Sequence, residues 1–171
     1  INGAKYIIAE WISDNASYRK YIRNYTFNNG ILVSKKKKDS IDENLTYDMY
    51  YEYEERIKYI KLYRVLAINR GEKENILSVS IKVDTSKILE YLDSKVIKDS
   101  SNVSLTNIVR DAYKDSYKRL ISPSIEREIR KELTDNAEAI AIDNFSENLE
   151  NLLMTPPIKE KVILGFDPAY R

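Results

Sequence analysis

The stretch LTNIVRDAYKDSYKRLISPSIEREIRKELTDNAEAIAIDNFSENLENLL, residues Leu105 to Leu153, decides the fold. It reads as a helical spine of two or three helices. Leu105, Ile108, Val109, Ala112, Tyr113 and Leu120 recur at helical intervals and so share one face. Ser104 stands where an N-cap would, with a hydroxyl able to accept a first-turn amide. Ser122-Pro123 interrupts the run, because proline lacks an amide hydrogen and crowds the preceding turn; it breaks or kinks a helix, or opens a new one. Ile125, Ile129 and Leu133, at steps of four, predict a second helix. After Thr134-Asp135 a third pattern carries Ala137, Ile140, Ala141, Phe145, Leu149, Leu152 and Leu153, until Pro156-Pro157 stops it. The run Val162–Asp167 beyond the prolines is strand-like.

Toward the N-terminus the apolar spacing continues. Ala4, Ile7, Ile8, Trp11 and Ile12 predict a first helix, and Asp14-Asn15 ends it and caps the next. That second helix, about Ala16 to Phe27, sets Tyr18, Tyr21, Ile22 and Tyr25 against Arg19, Lys20 and Arg23. Asn28-Asn29-Gly30 is a turn signal, and Ile31–Ser34 is short and β-prone. Tyr47, Tyr50 and Tyr51 fall at helical spacing within Asp42–Glu55, which predicts a helix with an acidic outer face. Lys58–Asn69 is apolar enough to be buried and ends at Arg70-Gly71. Leu77, Val79, Ile81 and Val83 alternate with Ser78, Ser80 and Lys82, the strongest strand pattern in the chain, and could pair with Ile31–Ser34. Asp84 then caps a helix holding Ile88, Leu89 and Leu92. The expected fold is mainly α: an irregular multi-helix array with a small two-stranded β element and a truncated C-terminal strand. Three regions are expected: 1–100, helical with the β element; 101–157, the spine; and 158–171, a cut-off strand.

Composition limits the chemistry. A chain of 171 residues is long enough for one domain with a real core. No run approaches the roughly 20 apolar residues of a membrane helix, so no membrane partner is expected. With no cysteine there is no disulfide and no thiolate metal site. With no histidine the commonest metal ligand and the usual general base are missing, so serine–histidine or cysteine–histidine catalysis cannot be assembled. No cofactor is expected. The chain opens at Ile1 and closes on a motif that looks unfinished, so it is expected to be a piece of something longer.

Charge is segregated. Ile1–Lys38 holds eight bases and two acids, Asp42–Glu55 six acids and no base, and Thr134–Leu153 five acids and no base. Lys35, Lys36, Lys37 and Lys38, with Arg19, Lys20 and Arg23, could form a nucleic-acid surface, cations on phosphates and tyrosines on bases. The plainer alternative is a solvated lysine loop beside a packed tyrosine stripe, and a net charge of only +1 favours it. Arg110, Lys114 and Lys118 form a second ridge, but Asp111 and Asp115 interleave with it, as on a salt-laced exposed face. Asp167 ends its strand in Gly-x-Asp and could be the first acid of a two-metal site. Such a site needs further acids from other elements, and the chain stops four residues later.

Several segments resemble one family. Arg64-Val65-Leu66-Ala67-Ile68-Asn69-Arg70-Gly71-Glu72-Lys73-Glu74 resembles a signature of the bacterial Tex transcription accessory proteins. So do Pro123–Arg130 with Glu132-Leu133-Thr134, Phe145–Leu149 with Leu152-Leu153 and Pro156-Pro157, and Leu164-Gly165-Phe166-Asp167-Pro168. Gly3-Ala4 and Ile7–Ser13 resemble the family's earlier helices, so the likeness covers essentially the whole chain. The chain departs from the family at Lys61-Leu62-Tyr63, where proline, a small residue and histidine are usual, and at Ala169, often glycine. The resemblance implies a large cytoplasmic protein related to a eukaryotic elongation factor. Its layout would be helical regions, an RNase H-like YqgF domain, helix-hairpin-helix elements and an OB-type RNA-binding domain. This chain would be the central helical scaffold plus the first YqgF strand, not itself an enzyme, with RNA or DNA bound through the longer protein. Two rivals are a metal-dependent nuclease, with Asp167 as first ligand, and a module docking on the transcription machinery through Asp42–Glu55 or the acidic last helix.

Overall fold

The computed structural model describes residues 2–98, 102–156, 159, 161, 162 and 164–166. In chain order the elements are α1 (Asn2–Asp14), α2 (Ala16–Asn29), β1 (Ile31–Lys36), β2 (Glu52–Arg56), α3 (Leu62–Lys73), β3 (Leu77–Lys82), α4 (Ser86–Val96), α5 (Val103–Asp115) and α6 (Ser122–Leu153). The fold is mainly α with a small antiparallel sheet, as the spacing predicts.

The spine differs from the expected two or three separate helices. α5 is capped by Asn102, whose side chain accepts the Leu105 amide at 3.2 Å, and not by Ser104, which lies inside the helix. Ser116–Ile121 then winds as a π-helical turn straight into α6. A widened turn just upstream relieves the crowding that the Pro123 ring would impose, so proline sits in the first turn of α6 without stopping the chain. Nor does Thr134-Asp135 divide α6, which runs unbroken for 32 residues. The Thr134 hydroxyl donates to the Arg130 carbonyl at 2.8 Å and accepts from Asn69 at 2.8 Å, so its polar group is satisfied within the helix.

The sheet has order β2-β1-β3, with β1 antiparallel to both neighbours. The pairing of Ile31–Ser34 with Leu77–Lys82 follows the expected alternation; the third strand does not follow from it. Glu52–Arg56 is β2, and the tyrosines before it fall in a single 3-10 turn (Asp48–Tyr50), not in a helix. Glu52 and Glu54 point outward while Tyr53 and Glu55 turn inward, the period of a strand. Glu54 stands opposite Val33, and Lys82 opposite Ile31. Their 2.8 Å ion pair therefore crosses the outer face of β1, where Val33 is only 2% exposed. β3 is an edge strand, and Glu126 of α6 accepts its Ile81 amide at 3.1 Å, which blunts that edge.

One apolar cluster joins the parts. Ile12 of α1, Ile22 of α2, Leu77 of β3, Ile88 and Leu92 of α4, and Ile121, Ile125 and Ile129 are essentially inaccessible. α3 runs through Gly71 to Lys73 instead of ending at Arg70-Gly71. Asn15 caps α2 as expected, accepting the Ser17 and Tyr18 amides, and Asp84 accepts the Ser86 amide at 3.0 Å at the start of α4. The buried face of α1 is rotated from the expected stripe. Ala9, Ile12 and Ser13 are buried, and the Ser116 hydroxyl donates to the Ala9 carbonyl at 2.7 Å, while Ile7 and Trp11 face solvent. Asp167 and most of 158–171 lie outside the described residues; those described between Lys161 and Phe166 form no strand.

Candidate functional site

The predicted basic residues fall into two groups. Arg19 and Arg23, one turn apart on α2, both face α6. Arg19 donates to Ser124 Oγ at 2.7 Å and to Glu128, and Arg23 donates to Glu132. Lys20 points away from this seam and is exposed. Lys35 and Lys36 finish β1, and Lys37 and Lys38 follow it. Lys36 lies 4.5 Å from the centre of the Tyr51 ring, and Lys37 donates to Asn75 at 3.2 Å. The tyrosine stripe of α2 packs on α4: Tyr21 stacks on Tyr91 at 3.7 Å, and Tyr18 meets Tyr91 edge-on at 6.2 Å. These rings are spoken for by protein packing.

The second ridge is laced with ion pairs. Arg110 pairs with Asp93 at 3.0 Å, Asp111 with Lys5 at 2.8 Å, and Asp115 with Arg119 at 3.0 Å. The Arg110 guanidinium, and then the Tyr113 hydroxyl, hold the Asp93 carboxyl below the usual carboxylate range. Burial, and then its bond to Asp93, pushes Tyr113 up to about 12.

The acidic Asp42–Glu55 stretch is partly consumed in the same way. Burial pushes the Asp42 carboxyl up, but the amides of Tyr47 and Thr46 and the Tyr51 hydroxyl outweigh it, so the group ends below its ordinary value. Glu55 accepts from Arg64 at 3.0 Å and from the Tyr53 hydroxyl. Burial, and then Glu55, raises Tyr53 to about 12.

Two exposed features escape the sequence reading. The spacing predicts burial over Lys58–Asn69, yet at the start of that stretch Tyr59 is 61% and Tyr63 64% exposed. Lys58 and Lys61 on either side of Tyr59 are the signal in the sequence, and of Lys58–Tyr63 only Ile60 is buried. The other is the far half of α6. Ala137 is its last buried residue, and every side chain from Glu138 to Leu153 is exposed, including Ile140, Phe145, Leu149 and Leu152. At about 1.5 Å per residue this arm stands roughly 24 Å beyond the body.

Among the described residues no group of three or more acids, histidines or cysteines is placed to hold a metal ion. No helix among them is long and apolar enough to cross a membrane.

A family profile described as Tex central region-like matches residues 1–145, and this range contains both basic groups, the Tyr59–Tyr63 surface and most of α6. The chain belongs to the Tex family. It is 52% identical to the uncharacterized protein YdcI of Bacillus subtilis, over 100% of this chain and 24% of that protein. It is 26% identical to the transcriptional accessory protein Tex of Neisseria gonorrhoeae, over 100% of this chain and 23% of that protein. It is also 29% identical to human S1 RNA-binding domain-containing protein 1, over 99% of this chain and 18% of that protein. The chain thus spans a quarter or less of these Tex relatives.

Proposed function

We propose that this chain is the central scaffold of a cytoplasmic Tex-family transcription accessory protein, and that α6 positions further modules that engage RNA or DNA. The observation that carries this reading is the α6 arm. Its first half is locked into the body by Ile125, Ile129 and Leu133, whereas its second half presents Ile140, Phe145, Leu149 and Leu152 to solvent. A lone helix of that length is marginal in water, and its exposed apolar side chains call for a cover. The named relatives are about four times as long or longer, which leaves ample chain to supply one. The role we assign is structural; with no histidine or cysteine, serine–histidine or cysteine–histidine catalysis cannot be assembled from this chain. Arg19, Lys20, Arg23 and Lys35–Lys38 remain candidate phosphate contacts, and Lys20 with the lysine run is favoured, since Arg19 and Arg23 already hold α6. Docking on the transcription machinery through the acidic last helix is a second reading, supported by five acids and no base from Thr134 to Leu153.

The test is a chimera. This chain replaces the stretch it matches in the Bacillus subtilis relative, and small-angle scattering measures the size of the whole. The scaffold reading expects a compact particle that expands when Ile140, Phe145, Leu149 and Leu152 are changed together to asparagine. An unchanged radius contradicts it.

A further inference from the structure

We propose that Tyr59 and Tyr63, with Arg56, Lys58 and Lys61, form a stacking platform for single-stranded nucleic acid. This deepens the nucleic-acid-related reading above and rests on it, but it places a contact on this chain's own body, away from the arm.

One exposed ring is ordinary on a protein surface, but two large ones close in sequence ask for a reason. Most tyrosines here have one: Tyr18 and Tyr21 pack on Tyr91, and Tyr47 and Tyr50 are buried. Tyr59 and Tyr63 stand more than half exposed, four residues apart across the entry to α3. Each ring already carries a cation. Lys58 Nζ lies 5.9 Å from the Tyr59 centroid, and the Arg64 guanidinium 5.6 Å from that of Tyr63. A ring with a cation over one face leaves the other to a base, and at Tyr59 the unpaired Lys58 is then within reach of the strand's phosphates.

The local charge has the right sign. Arg56–Arg64 contains four bases and no acid. The acids that face it come from β2. Glu55 is bound to Arg64 and the Tyr53 hydroxyl, and Glu54 is bound to Lys82. Arg64 is thereby committed, whereas Arg56, Lys58 and Lys61 make no ion pair among the described residues.

The platform is also held still. Ile57 and Ile60 are buried on either side of Tyr59, the Ile57 amide donates to the Gly30 carbonyl at 3.0 Å, and the Ile60 amide donates to the Arg56 carbonyl at 3.1 Å. Little order is lost when a ligand arrives. Exposed rings select single strands, because a duplex keeps its base faces covered.

The test is fluorescence polarisation of the full 171-residue chain with a labelled oligouridylate of about twelve nucleotides. Duplex DNA and inorganic polyphosphate serve as competitors. The expected result is saturable binding that Y59A/Y63A weakens at least about fivefold and Y59F/Y63F leaves intact, because stacking needs the ring and not the hydroxyl. K58A/K61A should flatten the salt dependence by about one to two phosphate contacts. The proposal is overturned if the chain does not bind the oligonucleotide at low salt. It is equally overturned if Y59A/Y63A binds within about twofold of the parent, or if polyphosphate competes as well as single-stranded RNA. Any of these leaves the scaffold reading to the scattering experiment, which does not depend on Tyr59 or Tyr63.

Discussion

Gly71 shows how a single residue constrains this fold. It lies inside α3, where alanine would ordinarily gain about 1 kcal/mol over glycine. A Cβ there would meet Leu77 Cδ1 at 2.7 Å and Cγ at 2.9 Å, and Tyr47 Cδ1 at 3.0 Å. Leu77 is fully buried and has no room to give. Overpacking of this kind costs about 1–3 kcal/mol and outweighs the helix gain. Gly71→Ala is therefore expected to lower the thermal midpoint, and an unchanged or higher midpoint would show that the α3–β3 contact is looser than described. The Arg70-Gly71 pair looks like a helix end only when the glycine is read for its flexibility and not for its lack of a side chain.

Charged pairs set the pH window at the same scale. Arg110 and Tyr113 depress the folded-state pKa of Asp93 below its unfolded value. Its contribution is thus present above about pH 4 and lost as pH falls through the depressed value. Tyr53 and Tyr113 are raised to about 12, so their contribution is present below about pH 10 and lost as pH climbs toward 12. Urea denaturation across pH should show both limbs, and Asp93→Asn should flatten the acid one. Because the Asp93 side chain is still about a third exposed, at 35%, added salt should shrink its share. An acid limb indifferent to that substitution would contradict the pairing.

At the scale of elements, period was the reliable guide where one face is buried. Leu77–Lys82 and the Ile125, Ile129, Leu133 row are legible because their alternation answers to a core on one side. β2 was not, because Tyr47, Tyr50 and Tyr51 fall at helical spacing by accident, and the Glu-Tyr-Glu-Glu-Arg alternation hides in a run of like charge. The expected division of α6 into two rests on residues that favour caps, and the back-bonded Thr134 hydroxyl removes that cause. The two halves of α6 should respond differently to truncation. Ile129→Ala empties a fully buried site and should cost about 2–5 kcal/mol. Phe145→Ala removes a larger side chain but should stay within about 0.5 kcal/mol, since that ring packs on nothing in this chain's body. Equal losses in chemical denaturation would place the arm inside the cooperative unit and contradict its projection.

The predicted basic site was legible in composition but not in placement. Eight bases in the first 38 residues mark a positive N-terminal part, yet only the folded chain shows Arg19 and Arg23 turned onto Glu128 and Glu132. Pairing partners more than one hundred positions away leave no local trace.

At the scale of the whole molecule, the proposed scaffold rests on one helix, α6, half packed into this chain's core and half exposed. Amide hydrogen exchange tests that most directly, read along α6 in the 171-residue chain alone and in the chimera with the Bacillus subtilis relative. The account predicts strong protection from Ile125 to Ala137 in both proteins, and an arm from Glu138 to Leu153 that exchanges readily in the isolated chain and becomes protected in the chimera. An arm already protected in the isolated chain, or still unprotected in the chimera, would contradict the scaffold.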